Sequence, residues 1–234
     1  MEQNRPVPRR ALSPKERRRR HRIRLVRNWT VFLLSCGAVM AVMTGGILWL
    51  LPRAYALIAP PTPELAVADD ATSVSLEAEA AAAYREMAEA AKQDEIELVL
   101  TAGYQDAAAR QSAYEAAVQS YRESGCSEEE ATAKAATVQP APEASEYATG
   151  YGADILAADS MEKDTGFADT RAYEWLEAYA AEYGFILRWP QERQAATGMV
   201  FEPWHWRYVG RDNALAIRAS GLSLEEYLAL EQTK

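Results

Sequence analysis

Glu202-Pro203-Trp204-His205-Trp206-Arg207-Tyr208-Val209-Gly210 is the stretch from which the fold can be read. Trp204, Trp206 and Tyr208 alternate with His205 and Arg207, the two-residue period of a strand with an apolar face and a polar one. Working back along the chain, Phe185 to Arg188 reads as a strand returning after Gly184, with a long turn through Gly198 between the two. Ala153 to Leu156 reads as a short buried strand. Ile96, Leu98 and Leu100 run into Ala102-Gly103-Tyr104 as a strand that ends at a glycine turn.

Helices fill the intervals, and their caps mark them. Asp106 can cap a helix with Ala107, Gln111, Tyr114, Val118 and Tyr121 on one face. Ser127 and Glu130 have capping-box spacing, and Pro140 and Pro142 end that segment. Thr170 can cap a helix carrying Tyr173, Leu176, Ala180 and Tyr183, which Gly184 closes. Asn213 to Ala219 and Ser223 to Leu230 read as two last helices. Strands interrupted by helices, with hairpin-like returns late in the chain, give an α+β class: a small antiparallel sheet flanked by helices. No internal repeat is visible.

The net charge of −9 hides a split. Residues 1–27 carry eleven Lys or Arg against Glu2 and Glu16, so the rest of the chain is strongly acidic. Trp29 to Leu51 is a run of 23 uncharged residues, about 34 Å long as a helix, which matches the apolar thickness of a bilayer. The expectation is a basic cytoplasmic tail at 1–28, a transmembrane helix at 29–51 and an outward-facing remainder. Nucleic-acid binding by the arginines is the weaker reading of the same charge. A cleaved signal competes with the anchor, because Ala54-Tyr55-Ala56 resembles a cleavage site. The apolar run is nevertheless longer than a signal core, and the basic tail is long.

Residues 52–75, with Pro60-Pro61-Thr62-Pro63 and a small-residue acidic stretch, read as an extended linker. Residues 76–93 read as a juxtamembrane helix, rich in Ala, Glu, Met and Arg. Its stripe of Leu76, Ala80, Ala83, Met87 and Ala91 suits packing on its own domain, taken to be residues 94–234, or on another copy. Cys36 lies within the expected span and Cys126 alone outside it, so no disulfide is expected within the outer part, and pairing of two copies through Cys126 is the alternative to a free thiol.

From about Leu98 to Leu230 the chain resembles the VanY-type D-alanyl-D-alanine carboxypeptidases, zinc enzymes that trim the terminal D-alanine from peptidoglycan stem peptides. Several motifs in order carry the resemblance: Ala102-Gly103-Tyr104, the Ser145-to-Asp154 segment SEYATGYGAD, Trp175-Leu176, Tyr183 to Arg188, Thr197-Gly198, Glu202 to His205, Arg207 to Gly210 and Gly221 to Leu228. It implies Asp154 and His205 as metal ligands and Glu202 as general base. An open fourth coordination position would let a metal lower the pKa of its water. It also implies that Ser145, Tyr104, Gln105 and Arg207 line a substrate cleft.

Two departures stand out. Tyr147 occupies the position of the family's first histidine ligand. A phenol with an ordinary pKa near 10 is a poor donor at neutral pH, and losing one ligand of four costs about 3 kcal/mol of zinc affinity. Zinc is therefore expected to be weak or absent. Gln105 stands where the family's substrate-carboxylate arginine is expected, with Arg110 or Gln111 one helical turn on as replacements. Three functions follow: a tethered pseudoenzyme that binds a stem peptide or a cell-wall protein, a working carboxypeptidase with Tyr147 or a nearby carboxylate as third ligand, or a scaffold acting through the 76–93 helix. Trp204, Trp206 and Tyr208 suit core and cleft wall better than a sugar-stacking platform.

Overall fold

A computed structural model describes residues 63–233. The expected tail and span lie outside the described residues. Among the described residues no helix is long and apolar enough to cross a membrane.

Four strands make the central sheet: β3 (Leu98–Ala102), β4 (Gly152–Ala157), β5 (Phe185–Leu187) and β6 (His205–Tyr208). Their order is β3-β4-β6-β5, and every neighbouring pair is antiparallel. The expected α+β architecture and all four expected sheet strands are therefore present. Register does the functional work. Ala153 pairs with Trp206 and Asp154 with His205 across β4 and β6. Alternation then sends Ala153, Ile155 and Trp206 to one face and Asp154, His205 and Arg207 to the other.

The apolar face packs as an ordinary core. Leu98, Leu100, Ile155, Phe185 and Trp206 are buried, together with Trp175 and Leu176 of helix α4 (Arg171–Tyr179). The helix expected at 76–93 is α1 (Ala78–Gln93), and its Ala80, Tyr84, Met87 and Ala91 belong to this same core. Packing on its own domain is thus what the stripe does, and the helix has no free apolar face to offer as a scaffold.

The linker reading of 52–75 needs correction over its described part. Residues that look like a spacer form an antiparallel hairpin, β1 (Leu65–Asp69) and β2 (Val74–Glu77), so the compact unit begins well before 94. The reason lies in Asp69. One carboxylate oxygen accepts the turn amides of Ala71 and Thr72 at 2.9 and 3.3 Å, and the other accepts the Leu100 amide of β3 at 3.1 Å. Acidic residues that read as solvated are holding a turn against the sheet.

The hairpin also frames the site. Ser75 O accepts the Tyr104 amide at 2.8 Å, and the Glu77 amide donates to Gly150 O at 2.9 Å. Both approaches need glycine. A Cβ on Gly103 would lie 2.5 Å from Ser75 O, and one on Gly150, where φ is +75°, would lie 2.6 Å from the Glu77 nitrogen.

The remaining helices are α2 (Ala107–Glu123), α3 (Glu128–Ala135), the short α5 (Gln194–Thr197), α6 (Arg211–Ser220) and α7 (Leu224–Glu231). Asp106 and Thr170 cap as expected, Ser127 with Glu130 forms a complete capping box, and Ser223, read as the first residue of the last helix, is its cap. Helix α2 has no fully buried residue and pairs with α3 at the periphery. Cys126, between them, is a free thiol.

Candidate functional site

The polar face of β4 and β6 carries a closed cluster of buried charges. Asp154 and His205 are brought side by side by the strand register, with His205 Nδ1 2.7 Å from Asp154 Oδ1. A turn of 3₁₀ helix, Glu146–Ala148, lays Tyr147 over them. Its hydroxyl donates to Asp154 Oδ1 at 2.7 Å and lies 3.1 Å from His205 Nδ1. The other Asp154 oxygen accepts from Lys163 Nζ at 2.6 Å. Both oxygens of Asp154 are thus engaged by proton donors, and its side chain is only 5% exposed.

His205 is fully buried. Trp189 stacks on its ring at 4.1 Å between centroids, with 5° between the planes. Its Nε2 lies 3.6 Å from Glu146 Oε2, an ion-pair distance too long for a hydrogen bond. Burial disfavours a charged imidazole, but the two carboxylates outweigh it and raise the pKa to about 9. Burial acts the other way on Asp154 and would raise its pKa, yet His205 and then Lys163 hold it below the ordinary carboxylate value. The Tyr147 phenol is pushed well above 10, first by burial and then by Asp154, so it stays a neutral donor.

Glu202 sits beside this group on the turn that leads into β6, where the His205 amide donates to Glu202 O at 3.0 Å. Burial raises its carboxyl to about 7 against the pull of His205. A group with that pKa can exchange a proton near neutrality.

Behind the cluster is a second network that the sequence reading did not find. Glu146 Oε1 takes Arg188 Nε at 2.6 Å and Arg207 Nη1 at 2.9 Å, and Arg188 reaches on to Glu225 of α7. Burial would raise the Glu146 pKa, but His205, Arg207 and Arg188 bring it down to about 2. No local pattern announces these partners, because they are brought together from four separate segments.

The structure places the other expected site residues unevenly. Ser145 immediately precedes the turn that carries Tyr147, and the Gln105 amide donates to Tyr147 O at 3.0 Å. Ser145 Oγ and Gln105 Oε1 are buried with no hydrogen-bond partner among the described residues. Tyr104 is anchored through its backbone to the hairpin. Arg207 faces Glu146. Arg110 gives its guanidinium to the main-chain carbonyls of Gln105 and Pro142, which ties down the loop after α3. Gln111 is exposed and bonds Glu115 at 2.6 Å. Arg110 and Gln111 are thus occupied by other partners.

Among the described residues no three His, Cys, Asp or Glu side chains converge as a metal ion would require. Zinc needs lone pairs pointed at one centre. Here the oxygen and nitrogen that would supply them share a hydrogen bond with each other and with a neutral phenol, and an ammonium sits on the same carboxylate. In this arrangement Asp154 and His205 are two of the three donors a catalytic zinc takes, and the Tyr147 phenol, as a proton donor, is not a third.

Comparison with known proteins gives consistent results. A family model described as VanY, D-alanyl-D-alanine carboxypeptidase, matches residues 73–211, more than half of the chain. A D-alanyl-D-alanine carboxypeptidase of Enterococcus faecalis is 34% identical over 148 residues, which make up 63% of this chain and 53% of that protein. The chain spans about half the length of the curated relatives it matches. Among solved structures, VanYB in complex with D-alanine-D-alanine matches with a TM-score of 0.65 at 29% identity, covering 73% of this chain and 91% of that one. A mutant of the vancomycin-resistance D,D-pentapeptidase VanY in complex with Zn(II) matches with the same TM-score and identity, over 73% and 92%.

Proposed function

The chain belongs to the VanY family of D-alanyl-D-alanine carboxypeptidases, and we propose that it is a catalytically impaired member, anchored by the 29–51 segment, whose outward-facing cleft binds a peptidoglycan stem peptide or a cell-wall protein. The observation that carries this reading is Tyr147. Its hydroxyl closes onto Asp154 and His205, the two retained ligand positions, at 2.7 and 3.1 Å. A neutral phenol there is a proton donor, and Asp154 and His205 spend their lone pairs and protons on it and on each other. Hydrolysis by this fold depends on a metal held by three protein donors, so a site that satisfies itself by hydrogen bonding is suited to binding without turnover. Gln105, in place of the family's arginine, supports the same reading because it removes the fixed charge that would hold a substrate carboxylate.

One observation favours the active alternative. Glu202 is retained at the general-base position, and its carboxyl is raised to about 7, where a base works best.

The two readings separate on one preparation. The full chain is incubated with added zinc and a D-alanyl-D-alanine-terminated peptide, and bound peptide and released D-alanine are both measured. The impaired reading expects peptide to bind without D-alanine release. Release that disappears on Glu202→Ala would establish the active reading instead.

A further inference from the structure

Lys163 has no place in the family's ligand set, yet it makes one of the shortest polar contacts in the cluster. It reaches Asp154 through a tight reversal of the chain. The Ser160 amide donates to Ala157 O at 2.9 Å, and Ala157 and Ser160 form an isolated bridge. This bend turns the segment after β4 back over the strand it has just left. Lys163, nine residues after Asp154, then sets its Nζ 2.6 Å from Asp154 Oδ2. The lysine side chain is 40% exposed and the aspartate 5%, so the ammonium covers an otherwise buried carboxylate from the solvent side.

We propose that Lys163 is a resident counter-ion of Asp154 on the Oδ2 side, beside His205 on Oδ1, and that it excludes a divalent ion independently of Tyr147. The proposal rests on the impaired-member reading and adds to it a second lock. The physical basis is charge accounting. A buried carboxylate without a cation or full hydrogen bonding is strongly disfavoured. Tyr147 and His205 both satisfy Oδ1, which leaves Oδ2 to Lys163. An ammonium has three donors and no acceptor, so it cannot ligate a metal while it neutralises Asp154. A divalent ion drawn to Asp154 would also meet a like charge on the same carboxylate. Restoring a histidine at 147 therefore restores a donor without vacating Asp154.

The test uses the full chain in four forms: natural, Tyr147→His, Lys163→Met, and both substitutions together. Circular dichroism establishes folding. Zinc affinity is read by competition with a chromophoric chelator. Zinc binds the doubly substituted form at least about tenfold more tightly than Tyr147→His alone, the gain expected from removing a like charge beside the ion. A second readout needs no metal. Lys163→Met lowers the melting temperature of the zinc-free chain, and Lys163→Arg, which keeps the cation, recovers most of the loss.

Equal zinc affinity of the Tyr147→His and doubly substituted forms overturns the proposal, and so does an unchanged zinc-free melt for Lys163→Met. If the doubly substituted form does not fold, the Lys163→Met and Lys163→Arg melts decide alone. A full equivalent of tightly bound zinc on the natural chain overturns the impaired-member reading itself, a result distinct from either failure above.

Discussion

The two faces of one four-stranded sheet obey different rules. On one face Ala153, Ile155 and Trp206 lie in a core closed by α1 and α4, where size and shape decide what fits. On the other, Asp154 and His205 are buried and Glu146 and Arg207 half-buried as charges, and each holds its place through the partners it neutralises. The apolar face supplies the core on which the polar groups are mounted. The polar face can change its chemistry at two positions, Tyr147 and Lys163, without disturbing a core contact.

Substitutions on each face separate the two rules. The largest effect is expected at the hub of the polar side. Arg188→Met takes the cation from Glu225 and leaves Glu146 with Arg207 as its one remaining guanidinium partner; removing one partner of a buried ion pair costs about 3 to 5 kcal/mol, measured by urea unfolding. Met87→Ala in α1 opens a cavity in a fully buried position and costs about 2 to 5 kcal/mol. A cost near zero there would mean that α1 is not part of the core. Tyr147→Phe deletes the donor to Asp154 while His205 still supplies one; about 1 to 3 kcal/mol is expected.

The smallest effect at neutral pH appears only at the extremes. The folded pKa of Glu146 is about 2, below the ordinary 4.5. Its stabilisation is therefore complete above about pH 4.5 and lost as pH falls toward 2. His205 works in the opposite sense. Its folded pKa of about 9 exceeds 6.5, so its contribution is complete below 6.5 and lost as pH rises through 9. Thermal melts across this range should show both limbs. Glu146→Gln should flatten the acid one, and an unchanged acid limb would remove Glu146 as its source.

Much of this was legible in the sequence because it rests on local pattern. Alternation and short apolar runs gave the sheet strands, and single capping residues such as Asp106 and Thr170 set helix starts. The resemblance to the carboxypeptidases, rather than local spacing, singled out Asp154, Glu202 and His205. What escaped reading depends on distance or on context. The β1–β2 hairpin is short and acidic, and only Asp69's reach to Leu100 makes it part of the domain. Arg188, Glu146 and Arg207 meet from separate segments, and charges carry no period that foretells a partner. Lys163 stands in a loop whose bend at Ala157 and Ser160 has no signature in composition.

The most direct test of the account is the zinc content of the natural full chain after exposure to excess Zn(II) and removal of the unbound ion. A hydrogen-bonded Asp154–His205–Tyr147 group capped by Lys163 predicts far less than one equivalent, rising most when Tyr147 and Lys163 are both replaced. One tightly held equivalent on the unaltered chain would contradict it.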